Sequence, residues 1–343
     1  MLGDNWPARP RPSRRDVLAL LGAGAGAAAL AGCGGDEGAA APTAAAGTVA
    51  GSAFDGETIR VATFTNNHAA APLFWPRFAP EGLTVEVQTL SSGTDMNVAL
   101  ENGDLDFALF GLVNGFIQHE EGIGSKIVAM GAEKGASLVV PADFDGEDVA
   151  ALAGRRIGWQ GPAFQYLLLL ELLEAAGLDP DSDVELVSVD WNDMPAALAA
   201  GDVDAYMGTE PNPSRSVADG TGRRLVDPYD TPAGSLNSAI WASRSVLDRP
   251  DLLKAASAMQ VAAADHLSPG GRNDQEVWRE LTVDGFGYEE AVYEALLDNV
   301  GAVGRFDEEW QEQAFAQAER MVDLGLLQQV PEPDDVLQLD NQV

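Results

Sequence analysis

The chain has 343 residues, of which 54 are acidic and 20 are lysine or arginine, for a formal charge of −34. Such a surface repels nucleic acid and anionic lipid headgroups, and with lysine only at Lys126, Lys134 and Lys254 it offers no polybasic stripe. Cysteine occurs once, so no disulfide is available and core packing alone must hold the fold, a reasonable demand at this length.

The first 33 residues read as an export address. Ser13-Arg14-Arg15-Asp16-Val17-Leu18 resembles a twin-arginine signal, and the apolar run to Ala31 is too short to span a bilayer. Leu30-Ala31-Gly32-Cys33 resembles a lipobox, in which Cys33 becomes the mature N-terminus and carries a lipid thioether. The alternatives are an accidental cysteine in a small-residue tract or a plain cleaved signal. Gly22-Ala23-Gly24-Ala25-Gly26-Ala27 matches a dinucleotide-binding pattern by letters only, because no strand precedes it. Residues 34–53, rich in Gly, Ala, Thr and Pro, read as a flexible tether.

The folded part starts with a strand, Thr58–Thr63, that ends in the polar loop Phe64-Thr65-Asn66-Asn67-His68. A helix over Ala70–Phe78 has an uncertain start at Pro72 and Pro76. A strand over Leu83–Gln88 leads to Ser91-Ser92-Gly93-Thr94, which opens a helix ending at Gly103. The strand Leu105–Phe110, Gly111 and a helix from Val113 to Glu121 follow, and strands at Ile127–Met130 and Ser137–Val140 complete this half. Pro141–Val149 reads as a crossover.

The second half repeats the order. A short strand behind Gly154 runs to Gln160, and Gly161-Pro162 opens an apolar helix. Its Phe164, Leu167, Leu168, Glu171, Leu172 and Ala175 fall mostly on one face, and it stops at Gly177. A strand over Val184–Val189, a helix over Asp193–Ala200 and a strand over Val203–Met207 come next. The chain crosses back near Pro228–Gly234 into a strand over Ser238–Ala242. Helices over Leu252–Leu267, Gln275–Leu281, Tyr288–Val300 and Glu308–Leu326 then form a tail that supplies stability rather than ligand contacts, and 330–343 is expected to fray.

Strand–helix alternation of this kind is parallel α/β, where ligands bind at the carboxyl ends of strands. The candidate contacts are therefore Thr65, Asn66, Asn67, His68, Ser91, Ser92, Gly93 and Gly111 in the first half, and Gln160, Gly161, Phe164, Trp191 and Glu210 in the second. Helix starts at Ser91–Thr94 and Gln160–Phe164 offer amides that hold small anions without a cation, although Ser and Thr there also serve simply as caps. Glu210 points the other way, toward an amine or aminopyrimidine, unless it faces solvent. Phe64, Phe164, Trp191 and Tyr206 are candidates to stack on a flat ring, or to be core. No nucleophile elbow, phosphate-binding Gly-Lys-Ser/Thr loop or His-Glu-x-x-His helix is present. His119-Glu120-Glu121 reads as a solvated helix face rather than a metal site.

One stretch carries a family resemblance: Leu152-x-Gly154-Arg155-Arg156-Ile157-Gly158, Tyr166-Leu-Leu, Gly177-Leu-Asp, Asp183-Val, Asp193-Met with Ala196–Leu198, Gly201-Asp-Val-Asp-Ala205 and Pro211. Together they resemble the second lobe of the nitrate/sulfonate/taurine-type substrate-binding proteins of ABC importers, with thiamine-precursor binders as relatives. Gly103-Asp-Leu-Asp-Phe107 resembles the matching place in the first lobe, and the likeness extends from about Thr58 to about Val300. It implies an α/β, two-lobed periplasmic-binding-protein type II fold, each lobe a mainly parallel sheet flanked by helices. Lobe one is then 54–140 plus 231–343 and lobe two 141–230. It further implies a monomeric lipoprotein without cofactor, anchored through Cys33 to the outer face of the membrane, that closes on a small solute and delivers it to an ABC permease and its ATPase. A sensor lipoprotein is a rival, as is a pyridoxal-phosphate synthase of the thiamine pathway. The latter needs a cleft lysine, and none of the three lysines falls in a predicted cleft loop.

Overall fold

The computed structural model describes residues 54–65 and 67–339, so Asn66, the tether and the export segment with its twin arginines and Cys33 lie outside the described residues. In chain order the elements of the first half are β1 (Glu57–Phe64), a 3-10 turn (Ala71–Phe74) running into α1 (Trp75–Phe78), β2 (Leu83–Leu90), α2 (Gly93–Glu101), β3 (Phe107–Gly111), α3 (Leu112–Glu120) and β4 (Lys126–Lys134). Pro72 and Pro76 each fall in a first turn, where the missing amide costs nothing. The second half holds β5 (Ala136–Pro141), β6 (Arg156–Trp159), α4 (Phe164–Ala175), β7 (Glu185–Ser188), α5 (Met194–Ala200), β8 (Ala205–Thr209), α6 (Asn212–Ala218) and β9 (Gly222–Arg224). Then come β10 (Leu236–Ala242), α7 (Pro250–Leu267), α8 (Gln275–Arg279), a π turn (Glu280–Gly285), α9 (Glu290–Leu296), β11 (Val300–Ala302), α10 (Glu308–Asp323) and α11 (Pro333–Val336).

Two sheets result, ordered β11-β4-β10-β3-β1-β2 and β7-β6-β8-β5-β9. β1 pairs parallel with β2 and β3, and β6 parallel with β7 and β8. The strands at the crossings, β4, β5, β9, β10 and β11, pair antiparallel, so each sheet is mixed. In the first sheet, alternation places Phe107 and Leu109 in one apolar cluster and Ala108 and Phe110 in the other. Both faces are covered, as a near-continuous apolar strand requires. On one side α3 lies against Trp241, and Gly115 is what allows it: a Cβ there would overlap the indole.

The repeated Gly-Asp-x-Asp pieces have a structural explanation. Asp106 accepts the Arg60 backbone amide at 2.7 Å and pairs with its guanidinium, whose Nη2 also donates to Gly103 O. Asp204 does the same for Arg156, at 2.9 Å from its amide and 3.0 Å from Nη2, with Nη2 also reaching Gly201 O. Each sheet thus pins one parallel strand to the turn before its parallel neighbour.

Three expectations need correction. Ser137–Val140 does not complete the first half: β5 pairs with β8 and β9, so the chain changes sheet at Lys134–Gly135, not at Pro141–Val149. A buried apolar run does not reveal its sheet. The turn uses two consecutive positive φ angles, 59° at Lys134 and 80° at Gly135, and a Cβ on Gly135 would strike the His68 ring. Next, the helix expected to reach Val300 stops at Leu296, and β11 joins the edge of the first sheet with Val300 opposite Lys134. Last, residues 330–339 do not fray: α11 is tied down by Lys126 Nζ, which donates to Asp334 O, and by Gln338 N on Ile127 O.

Helix α4 also departs from a single apolar face. Nine of its twelve residues are buried, Phe164, Gln165 and Leu167 to Leu173. It is sandwiched between the second sheet and α3, and its Glu171 pairs with Arg320 of α10 at 3.0 Å and accepts from Ala233 N. A helix buried on most of its sides must be apolar on most of them, with its one buried carboxylate satisfied.

Candidate functional site

Between the sheets lies a cleft of about 800 Å³. It sits where β1, β2 and β3 end on one side and β6, β7 and β8 end on the other. From the first sheet come Thr65, Asn67 and His68 after β1, Ser91, Ser92 and Gly93 after β2, and Gly111 at the end of β3. From the second come Gln160, Gly161 and Phe164 around the start of α4, Trp191 after β7 and Glu210 after β8. The structure therefore brings together every described residue proposed from the sequence for ligand contact except the stacking candidate Tyr206.

The helix starts differ. Ser92 caps α2, its Oγ accepting from Asp95 N at 3.3 Å. Helices α3 and α4 begin at Gly111 and Ala163, which have no capping side chain, so their first amides keep donor capacity beside the cleft. Gln160 does not face a ligand with its acceptor: Oε1 takes the Trp191 amide at 2.6 Å and locks the β6 and β7 loops together. Asn212 extends this brace by donating to Trp191 O at 2.7 Å.

Glu210 lies on the lining, yet its carboxylate is fully engaged. The residue is 1% exposed; Oε1 takes Arg224 Nη2 at 2.8 Å and Asn299 Nδ2 at 2.7 Å, and Oε2 accepts Ser214 N at 3.2 Å. Glu210 is therefore not an unpaired carboxylate waiting for an amine ligand. Sequence order could not show this, because Arg224 and Asn299 arrive from β9 and from the tail. Tyr206 is likewise not a stacking surface. It is buried, with its hydroxyl between Asn212 O and Ser216 Oγ, whereas Phe64, Phe164 and Trp191 do line the cleft.

His68 is 6% exposed, with Asn237 Nδ2 at 3.5 Å from its Nε2. Burial pushes its pKa down to about 4, the neighbouring Glu210 main chain opposing only in part, so the ring is neutral at ordinary pH.

Among the lining residues not anticipated are Asn114, Arg215, Asn237 and Ser238. Arg215 lies one helical turn beyond the β8 loop, its amide on Pro211 O, so it shares the cleft face of α6 with that loop. Its guanidinium is held by Asn212 Oδ1 at 3.0 Å and stacks over Tyr288, 5.5 Å from the ring centre. Among the described residues it has no carboxylate within ion-pair distance, and it is the only lysine or arginine on the lining. Asn237 and Ser238 had a legible signal: they are polar residues inside a strand otherwise apolar and buried throughout. No lysine lines the cleft, and no helix among the described residues is long and apolar enough to cross a membrane.

Comparisons with known proteins agree with this architecture. Residues 68–281 match the model of the NMT1-like family. No curated protein matches the chain. Among solved structures, the periplasmic aliphatic sulphonate binding protein SsuA of Escherichia coli is 19% identical with a TM-score of 0.70, over 84% of this chain and 94% of that one. The alkanesulfonate-binding protein SsuA of Xanthomonas axonopodis pv. citri, bound to MOPS, is 20% identical at 0.65, over 82% and 96%. The desulfurization enzyme DSZB shares the fold too, at 19% identity and 0.63, over 83% and 97%. With the family model covering more than half of its residues, the chain belongs to the NMT1-like family and has the two-lobed α/β fold of periplasmic binding proteins.

Proposed function

We propose that the protein is an extracytoplasmic solute-binding lipoprotein. It captures a small acidic solute of the sulfonate, nitrate or taurine type between its lobes and hands it to an ABC permease and its ATPase. The observation that carries the ligand class is Arg215. In a chain with a formal charge of −34, a cation on the cleft wall without a carboxylate partner is reserved for something else. The uncapped starts of α3 and α4 add donors of the same sign. Sulfonate-binding proteins of the same fold make the class reasonable.

Binding, rather than catalysis, fits the lining. Among the described residues no lining hydroxyl is hydrogen bonded to His68, and a pyridoxal-phosphate enzyme would need a lysine the cleft lacks. A flat heterocycle is the second reading, favoured by Phe64, Phe164 and Trp191 on the lining.

A thermal-shift screen over nitrate, sulfonates, taurine, bicarbonate and pyrimidines identifies the class, since a ligand at 100 times its Kd adds about 2.7 kcal/mol of stability. Calorimetry of Arg215→Gln with the best anion then tests the role of Arg215. Loss of a charge-assisted contact worth about 1.5–3 kcal/mol weakens binding roughly ten- to a hundredfold. Undiminished affinity in that variant refutes the reading.

A further inference from the structure

On the first-sheet side of the cleft, Ser238 stands out. It lies in β10, across from Gly111 of β3, is 1% exposed, and its Oγ has no hydrogen-bond partner within the protein. A buried hydroxyl without a partner is costly, and native structures keep few of them without reason. His68, on the same lining, is neutral, and Asn237 Nδ2 faces its Nε2. That arrangement puts the ring proton on Nδ1, which has only the Glu210 main chain beside it and makes no hydrogen bond of normal geometry. Two neutral donors therefore sit on the first-sheet wall, while the cation sits on the second-sheet wall.

The lining is equally informative about what it withholds. Of its two carboxylates, Glu210 is spent on three protein donors, and Asp190 is an exposed rim residue whose Oδ1 caps Asn192 N at 3.2 Å. An ammonium group on the floor would lose water and meet no counter-charge.

We propose that Ser238 and His68 form a second subsite that takes an uncharged oxygen acceptor, so the preferred solutes are bipartite. One end is an anion at Arg215, and the other is an amide, keto or ether oxygen rather than an ammonium. The anionic end rests on the function proposed above, and the acceptor end adds to it, so a bipartite solute needs both.

Calorimetry on the full chain with three probes of equal length tests the idea: propane-1-sulfonate, 3-sulfopropanamide and 3-aminopropane-1-sulfonate, each with its two- and four-carbon homologue. The amide-ended probe of the best length is expected to bind at least tenfold tighter than the alkane, and the ammonium-ended one more weakly than the alkane. Ser238→Ala removes the amide advantage, costing that probe about tenfold and the alkane less than threefold, without lowering Tm, since a hydroxyl with no protein partner adds nothing to the fold. His68→Gln, which keeps a donor, retains part of the advantage. If the sulfonates bind without preference for the amide end, or if Ser238→Ala weakens all three alike, the floor subsite is refuted while the anion reading stands. If no sulfonate binds, both fall.

Discussion

Arg224 Nη2 lies 2.8 Å from Glu210 Oε1, so the only wholly buried carboxylate on the cleft lining is neutralised by a strand on the far side of its own sheet. The same guanidinium donates to Ser214 Oγ and Ala295 O, and Tyr229 OH joins through Asn299 Oδ1 at 2.7 Å. The network ties the residue after β8 to the tail and to the crossing at Ala136, whose carbonyl accepts from Tyr229 OH.

Arg224→Met leaves Glu210 buried without its counter-charge and is expected to cost about 3 kcal/mol in urea unfolding. Adding Glu210→Gln should recover part of that loss. Glu210→Gln alone is expected to change solute affinity less than about threefold. A tenfold loss for an ammonium-bearing solute, with stability intact, would show that the carboxylate serves the ligand instead.

The Glu171–Arg320 pair makes a parallel case away from the cleft. Arg320 also pairs with Glu174 and Asp323, and holds α4 of the second sheet against α10. Arg320→Met should destabilise by about 3 kcal/mol, while the Glu171→Leu/Arg320→Leu pair should be near neutral. If both variants are equally unstable, packing rather than charge compensation governs this contact.

Contacts already span the cleft: Asn114 Nδ2 donates to Pro162 O at 2.8 Å and Asn67 Nδ2 to Glu210 O at 3.3 Å. A solute touching both walls adds to them and favours closure. Small-angle scattering should show a smaller radius of gyration at saturation with the best ligand of the screen, and an unchanged radius counts against closure.

His68 makes stability fall with acid over a defined window. Above its ordinary pKa of 6.5 the ring is neutral whether the chain is folded or not. Between that value and about 4 the unfolded chain binds a proton that the folded chain refuses, so stability drops as pH falls, by about 3 kcal/mol in all. Below about 4 both states are protonated and the loss levels off. In His68→Gln this component disappears, and the difference between parent and variant across pH 7 to 4 isolates it from carboxylates common to both. Parallel curves would mean that the ring is hydrated in solution.

Cys33 supplies the test of anchoring. Replacing it by alanine should abolish lipid attachment and release the protein from membranes on fractionation. Retention equal to that of the parent refutes the lipobox reading.

The sequence by itself determined the alternation of strands and helices, because periodicity, turn glycines and helix starts are local signals. It also placed Thr65, Asn67, His68, Ser91 to Gly93, Gly111, Gln160, Gly161, Phe164, Trp191 and Glu210 in one cleft, because in α/β sheets strand ends gather. Partnership was decided only by the tertiary structure. Whether Glu210 is free depends on Arg224 and Asn299, which are 14 and 89 residues away in sequence. The sheet that β5 joins depends on pairing across Lys134–Gly135, and an apolar run carries no record of its neighbour. Arg215 and Ser238 entered the cleft for the same reason: one sits a turn inside a helix and the other in a buried strand, where only packing fixes what a side chain faces.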